Sequence, residues 1–240
     1  MFEWLIAAAF AAADTSAQAL LRSADAPRAA LEGRKVAIHA TLEAGGRGQD
    51  ISDLELFVCR NYEALVIFRD RKGRERMYLV RDNDTFLIAP GARHAVKIPP
   101  AQRLFGGASF AELARLRLDR DYDARIVNER ISCGEETCVE VEITAREKSA
   151  PYASGILRLD AEGRMREAEF RLASGKPSKS VVIEYRRDAR GQSIPGRAVI
   201  TDRLRSKDTL VTTLEYGMPE AVTDDPGRFD PERLLKGKRE

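Results

Sequence analysis

Apolar and polar residues alternate along the second half of the chain. Val139, Val141 and Ile143 are separated by polar residues, and the same period of two recurs around Phe170 and Ile183. This period is typical of β-strands with one buried and one solvated face. Strand-like runs follow one another with short connections over residues 34–43, 49–59, 63–69, 75–82, 84–89, 121–132, 137–147, 153–160, 164–173, 180–187, 195–205 and 208–216. Consecutive strands with short connections are usually antiparallel neighbours, so the pattern predicts one long meander.

The middle strands show a different pattern. Residues 64–68, 77–80 and 85–89 are predominantly apolar on both faces of the predicted strands. Runs without alternation are expected where a strand is covered on both sides. Two interpretations follow: the surplus apolar surface lines a cavity, or helices cover one face of the sheet while a loop covers the other.

Two short helices interrupt the strands, over residues 15–24 and 109–117. The first is expected to end near Pro27. The second begins with a capping-box pattern, Ser109 followed three residues later by Glu112. We therefore predict an α+β fold, in which a large curled antiparallel sheet of about 11–12 strands, a half-open β-barrel, is covered by a few short helices.

A sheet of this girth leaves space beneath two short helices, which predicts a hydrophobic ligand-binding cavity. For any one apolar residue ordinary core packing is the commoner role, and only the set as a whole indicates a cavity. The expected wall consists of Leu56, Val58, Leu65, Ile67, Met77, Leu79, Phe86, Ile88, Leu104 and Phe105.

The segment 85–109 joins an apolar strand to the second helix through a basic loop that prolines hold extended. It resembles a motif of the bacterial outer membrane lipoprotein-sorting proteins, relatives of the lipoprotein carrier LolA. The matching residues are Phe86, Leu87, Pro90, Arg93, Lys97, Ile98, Gln102, Arg103, Leu104, Gly106, Ala108 and Ser109.

Further stretches extend the resemblance over most of the chain after residue 30. Ala150-Pro151-Tyr152, Ala168-Glu169-Phe170 and Ser174-Gly175-Lys176 each resemble stretches of the same family. Two positions depart from its pattern: His94-Ala95 replaces a basic residue followed by proline, and Lys97 replaces an arginine that could bind in a bidentate manner.

The resemblance implies a monomeric periplasmic carrier or chaperone. It would bind lipoproteins or other lipidated, apolar ligands in the cavity and take part in outer membrane lipoprotein sorting. Arg93, Lys97 and Arg103 would then form a polar rim that holds the polar end of the ligand or faces an inner- or outer-membrane protein partner. The alternative is a non-enzymatic periplasmic accessory or sensor module that docks on a membrane transporter or regulator.

The two ends of the chain differ in composition from the middle. Residues 1–13 form an apolar run that ends in small residues, as a signal peptide does, although a hydrophobic helix retained in the fold is the alternative. Cleavage would release a soluble exported protein. We expect a single domain over residues 14–225 and a loose charged tail over residues 226–240.

Cys133 and Cys138 flank a predicted hairpin turn. A disulfide between them would fit the oxidising periplasm, and two independent strand thiols are the alternative. The histidines, His39 and His94, are far apart in the sequence, so we expect neither a metal site nor a cofactor.

Charge and motifs argue against other classes of function. The chain has 40 Lys and Arg residues against 38 Asp and Glu residues, a formal net charge of +2, without the basic excess of a dedicated nucleic-acid-binding protein. Ser174-Gly175-Lys176 lacks the upstream glycine of a phosphate-binding loop, because position 170 is Phe170, and is better interpreted as a turn. No acid, base, nucleophile or metal set can be assembled from the motifs, so we do not expect an enzyme.

Overall fold

Strands make up most of the fold. The computed structural model describes residues 17–59, 63–69, 75–81, 84–89, 92–99, 103–105, 107–109, 111–204, 209–223 and 225–236. Among these residues the strands are β1 (Arg34–Ala44), β2 (Arg47–Val58), β3 (Ala64–Arg69), β4 (Glu75–Arg81), β5 (Asp84–Ile88), β6 (Val96–Ile98), β7 (Arg103–Phe105), β8 (Ala108–Ser109), β9 (Tyr122–Cys133), β10 (Glu136–Ala145), β11 (Ser154–Leu159), β12 (Met165–Arg171), β13 (Pro177–Arg187), β14 (Ser193–Asp202), β15 (Leu210–Tyr216) and β16 (Glu220–Ala221).

Fourteen strands form one unclosed antiparallel sheet in the order β6-β5-β4-β3-β2-β1-β15-β14-β13-β12-β11-β10-β9, with β16 pairing to the start of β1. The β1–β15 pair joins two meanders, one from each half of the chain. β7 and β8 form a separate two-stranded sheet. The predicted α+β fold with a large, curled antiparallel sheet is confirmed. The strand count was too low because β6, β7, β8 and β16 are too short to show a periodic pattern.

Five short helical elements accompany the sheet in the described residues. They are α1 (residues 17–29), a π-helical turn (Ala111–Arg115), α2 (Leu118–Asp121), a 3-10 turn (Pro226–Phe229) and α3 (Pro231–Lys236). None of them is long and apolar enough to cross a membrane.

The two predicted helices both differ from the structure. α1 continues past Pro27 to residue 29, because its apolar face is held by tertiary packing. The predicted helix 109–117 is wrong: Ser109 pairs in β8, and only a single π-helical turn follows. The predicted capping box is formed only in part: the Glu112 carboxylate accepts from the Ser109 backbone N–H at 2.6 Å, and the Ser109 hydroxyl donates to the same carboxylate.

The main hydrophobic core lies on one face of the sheet, which we call the inner face. Ala17, Leu21 and Ala24 follow the spacing of one helical face, and all three are buried. This apolar side of α1 packs on inner-face residues such as Ile38 and Leu56. α1 is therefore seated over the inner face.

A second hydrophobic cluster lies on the opposite, outer face of β2 to β5. Leu65 and Leu79 point away from their neighbours Val66 and Val80, which belong to the main core. Phe229 completes the outer cluster from the C-terminal segment. The expectation of a loose tail is therefore wrong for residues 226–236. For the strands that are apolar on both faces, the alternative explanation, with a cover on each face, describes the structure.

Candidate functional site

α1 and residues 111–121 together lie over the inner face, and we call them the cover. The Gln18 side-chain amide donates to the carbonyl oxygen of Asp119 at 2.7 Å and to its carboxylate at 2.8 Å. Arg28, ten residues further along α1, donates to the carbonyl of Ala114. Arg22 adds an ion pair to Asp119 at 3.6 Å. One polar stripe of α1 thus fastens it to the segment that follows β8.

Asp25 lies in the middle of this stripe. Its carboxylate accepts hydrogen bonds from the backbone N–H groups of Leu118 at 3.1 Å and Asp119 at 3.0 Å. These are the first N–H groups of α2, whose own N-cap residue, Arg117, makes no capping bond with its side chain. Burial raises the pKa of Asp25 to about 6, while the two backbone bonds act in the opposite direction.

Glu112 anchors the cover to the sheet. Its carboxylate accepts from the backbone N–H and the hydroxyl of Ser109, both at 2.6 Å, and from the hydroxyl of Tyr152. The Lys179 ammonium lies 3.2 Å from the same carboxylate, and both side chains are almost completely buried. Lys179 also donates to the carbonyl of Gly107. A buried carboxylate with this many donors holds the π-helical turn in place.

A cavity of about 80 Å³ lies between the cover and the inner face. Its walls are predominantly apolar, with the charged side chains of Asp25, Arg28 and Glu112 among them. The remaining lining residues are Ala24, Pro27, Leu31, Leu56, Leu113, Leu116, Leu118, Met165, Ile183, Tyr185, Pro195, Ala198 and Tyr216. Helix, segment and sheet each supply part of this wall.

The two tyrosines of the cavity are neutral at physiological pH. Burial raises the pKa of Tyr216 to about 12 and raises that of Tyr185 as well. The Tyr185 hydroxyl donates to the carbonyl of Met165 at 3.0 Å. The strand side of the cavity therefore presents uncharged surface, which suits an apolar ligand.

Comparisons with known proteins place the chain in a family. A family model whose description reads "uncharacterized protein" matches residues 60–234. The chain belongs to that family. A comparison with curated proteins finds no match for this family member.

Solved structures similar to this family member share its fold. A LolA superfamily protein from Nitrosomonas europaea is 21% identical, with a TM-score of 0.78 over 90% of this chain and 98% of that chain. A domain from Vibrio parahaemolyticus, assigned to outer membrane lipoprotein sorting, is 14% identical, with a TM-score of 0.74 over 92% and 99%. A DUF1329 family protein from Desulfovibrio piger is 12% identical, with the same TM-score and coverage. The resemblance to LolA-like proteins is thus confirmed at the level of the fold.

The apolar residues predicted to line the cavity do not form one wall. Leu56 lines the cavity and Val58 lies in the main core. Six others belong to the outer cluster: Leu65, Ile67, Met77, Leu79, Phe86 and Ile88. Leu104 and Phe105 lie in β7, and their side chains are outside the described residues. The pattern could not assign faces here, because residues 64–68 of β3 and 77–80 of β4 are apolar without alternation.

The actual lining comes largely from strands with clear alternation. Ile183 and Tyr185 lie on the buried face that the period of two predicts for β13. Met165 and Ala198 reach the cavity from β12 and β14. Alternation gave a signal for Ile183 and Tyr185, but no local signal showed that α1 would lie over these strands and not over β3 to β5.

The three residues of the predicted polar rim do not surround this cavity. Lys97 lies in edge strand β6 and pairs with Asp84 at 2.7 Å. Arg93 is exposed beside α3. Arg103 lies in β7, with its side chain outside the described residues.

The cysteines are placed away from the cavity. Cys133 and Cys138 form a disulfide across the β9–β10 hairpin, at one edge of the sheet. Cys59 lies outside this disulfide and packs, partly buried, against the outer cluster. Among the described residues, no group of three or more His, Cys, Asp or Glu side chains is arranged to hold a metal ion.

Proposed function

We propose that the protein is a non-enzymatic periplasmic carrier that binds the acyl chain of a lipoprotein, or of another lipidated ligand, between the cover and the inner face. The observation that carries the proposal is the apolar cavity beneath α1. The LolA-like fold supports it, since the solved structures with this fold include a domain assigned to lipoprotein sorting.

The size of the cavity sets a condition on this function. At about 80 Å³ it is far smaller than the roughly 300–1,000 Å³ of typical ligand pockets. An acyl chain can therefore enter only if part of the cover moves away from the sheet.

α1 is the part that we expect to move. The segment after β8 is anchored through Glu112 and its buried partner Lys179. α1 is held by its apolar face and by hydrogen bonds with that segment, which Gln18 and Arg28 donate and Asp25 accepts. Each such bond contributes about 1 kcal/mol or somewhat more. A chain of about sixteen carbons gains on the order of 12 kcal/mol when fully buried, which exceeds the contribution of these bonds and leaves a surplus against the apolar contacts that α1 would give up.

A cavity-filling substitution tests the proposal. Ala198 is buried and lines the cavity, so Ala198→Phe should exclude an acyl chain. Val182 lies on the adjacent strand, is 45% exposed and points away from the cavity, so Val182→Phe is the matched control.

The measurement is titration with a fluorescent sixteen-carbon fatty acid and with a lipidated peptide, together with mass spectrometry of lipid bound to the purified protein. Ala198→Phe should weaken binding by at least about tenfold, equivalent to about 1.4 kcal/mol, while Val182→Phe leaves it unchanged. Absence of bound lipid and of probe binding in the unmodified protein would refute the carrier function. Equal affinity in the two variants would refute the location.

The small cavity volume favours a second candidate, an accessory or sensor module that docks on a membrane transporter or regulator without lipid cargo. A pull-down distinguishes the two candidates. A membrane complex that is still recovered after delipidation supports the module, and loss of the complex on delipidation supports the carrier.

A further inference from the structure

The C-terminal segment 225–236, which we call the strap, lies on the outer face of the sheet. Phe229 is 9% exposed and packs with Leu65, Leu79 and Ile88. Leu234 and Leu235 of α3 add partly buried contacts to the same cluster. The strap thus presents an aromatic and two leucine side chains to an apolar surface.

The strap's polar contacts are almost all internal. Arg233 pairs with Asp225 at 2.9 Å, and the Asp225 carboxylate accepts from the N–H of Gly227 at 3.0 Å. The one polar group that reaches the sheet is the Arg228 guanidinium, 5.1 Å from the centre of the Phe57 ring. In the described part of the chain, no hydrogen bond or ion pair joins the strap to a strand. Removing the strap therefore breaks apolar contacts and leaves no buried strand donor or acceptor unpaired.

The helix in the strap depends on this surface. α3 has six residues and none of them is fully buried. Helices this short are not stable in water by themselves. The outer face therefore induces helical structure in a segment that carries apolar residues on one side.

A basic loop borders the strap. Exposed Arg93 and His94 line a surface depression of about 500 Å³ together with Glu232 and Leu235 of α3. No ion pair joins Arg93 to another described residue. An acidic side chain one turn away from the apolar residues of a docked helix would meet Arg93 there.

We infer that the outer face of β2 to β5 is a docking site for a short amphipathic helix of a partner protein, and that the strap occupies this site until the partner displaces it. The partner helix carries aromatic and leucine anchors and an acidic residue that faces Arg93. The seated strap shows the chemistry that fits the surface. Because the strap is tethered, a partner competes against an effective concentration on the order of millimolar. The docking site is separate from the cavity beneath α1 and does not depend on lipid binding.

A competition experiment on the full chain tests this inference. The double variant Phe229→Ser/Leu234→Ser loosens the strap, and the probe is a fluorescent peptide with the unmodified sequence of residues 225–236. The peptide should bind the double variant at least tenfold more tightly than the unmodified protein, whose own strap competes. A peptide carrying Phe229→Ser should bind neither, and a peptide carrying Glu232→Lys should bind the double variant several-fold more weakly than the unmodified peptide.

Trypsin cleavage after Arg233 reports release of the strap, and circular dichroism reports an intact sheet. A released strap on a folded variant that does not bind the peptide overturns the inference. Dimerisation of the variant in light scattering overturns it in favour of a second copy, and co-sedimentation with phosphatidylglycerol-containing vesicles overturns it in favour of a membrane surface. If the double variant does not fold, the variant Arg93→Glu in the otherwise unmodified chain replaces it. Millimolar unlabelled peptide should then protect β3 to β5 from hydrogen exchange less in this variant than in the unmodified protein. Equal protection in the two proteins overturns the role of Arg93.

Discussion

Two fully buried threonines on the inner face differ in their hydrogen bonds. The Thr212 hydroxyl accepts from the backbone N–H of Gly107 at 3.0 Å. The Thr85 hydroxyl has no hydrogen-bond partner among the described residues. An unsatisfied buried hydroxyl costs about 1–3 kcal/mol, whereas valine has the same shape without that requirement.

Thr85→Val should therefore raise the free energy of unfolding by about 1 kcal/mol and the melting temperature by about 2–4 °C. Thr212→Val should lower both, because it leaves the Gly107 N–H unpaired. Thermal and urea unfolding of the two variants provide the measurement. A loss of stability in Thr85→Val equal to that in Thr212→Val would show that the Thr85 hydroxyl is bonded in solution.

Asp25 makes the stability of the fold depend on pH. Its pKa of about 6 lies above its ordinary value of 3.8, so the folded protein binds this proton more tightly than the unfolded chain does. The resulting contribution is fully present below about pH 4 and is lost as the pH rises through 6. It amounts to about 3 kcal/mol. Asp25→Asn should flatten the dependence of the unfolding free energy on pH between 4 and 6, as measured by urea titrations at pH 4, 5, 6 and 7.

Asp188 provides the control of opposite sign. A hydrogen bond from Arg34 holds its pKa below the ordinary value. Its contribution is therefore present at neutral pH and is lost as the pH falls through its lowered pKa. Asp188→Asn should destabilise the protein at pH 7 and have little effect in acid. If both variants changed the pH dependence in the same direction, the assignment to Asp25 would be wrong.

At the scale of elements, local pattern predicted the longer strands well and the helices poorly. In β10, Val141 and Ile143 are fully buried, as their alternation requires. The helix after Ser109 fails because distant residues decide its structure: Tyr152 and Lys179 bind Glu112 from 40 and 67 residues away. A cavity beneath the helices was expected, but most of its lining residues escaped prediction for the same reason, since the cover is closed by contacts such as Gln18 to Asp119, 101 residues apart.

The contact between α1 and the turn that joins β11 to β12 can be tested at one glycine. Gly163, in the turn between β11 and β12, has φ of +76°, and a Cβ atom there would lie 2.6 Å from the Cβ of Ser23. Gly175 has φ of +77° with open space around it. Gly175→Ala should cost roughly 1–2 kcal/mol for the left-handed backbone alone. Gly163→Ala should lower the melting temperature further and increase hydrogen exchange in α1, and equal effects of the two variants would show that α1 does not rest on this turn.

The anchor of the π-helical turn can be tested through its ion pair. Lys179→Met leaves the buried Glu112 carboxylate without its cation, and breaking a buried pair costs about 3–5 kcal/mol. The control is Arg197→Met, which breaks exposed pairs with Glu184 and Glu215 that should each contribute about 0–1 kcal/mol. Urea unfolding at pH 7 measures both. Similar losses in the two variants would mean that Lys179 is hydrated and does not anchor the cover.

At the scale of the whole molecule, one sheet carries two covers with different attachments. The inner cover is held by buried polar groups such as Glu112 with Lys179, and the outer strap by apolar contacts. Strands β1 and β15 join the two meanders near the centre of the sheet, where each strand is paired on both sides. The sheet therefore provides a frame from which α1 or the strap can separate without breaking a strand pair.

Hydrogen exchange of the full chain tests this division. Amides of β1 and β15 should exchange only through global unfolding. Amides of α1 should exchange through local opening, with protection factors at least about tenfold smaller, because few hydrogen bonds attach this helix to the rest of the fold. The strap should be the least protected of the three. A fluorescent or unlabelled sixteen-carbon fatty acid should change exchange in α1 and leave the strap unaffected, since the two sites lie on opposite faces. If α1 were protected as strongly as β15, an acyl chain could enter the cavity of about 80 Å³ only through global unfolding. That result would refute the carrier function and would leave the outer docking site untouched.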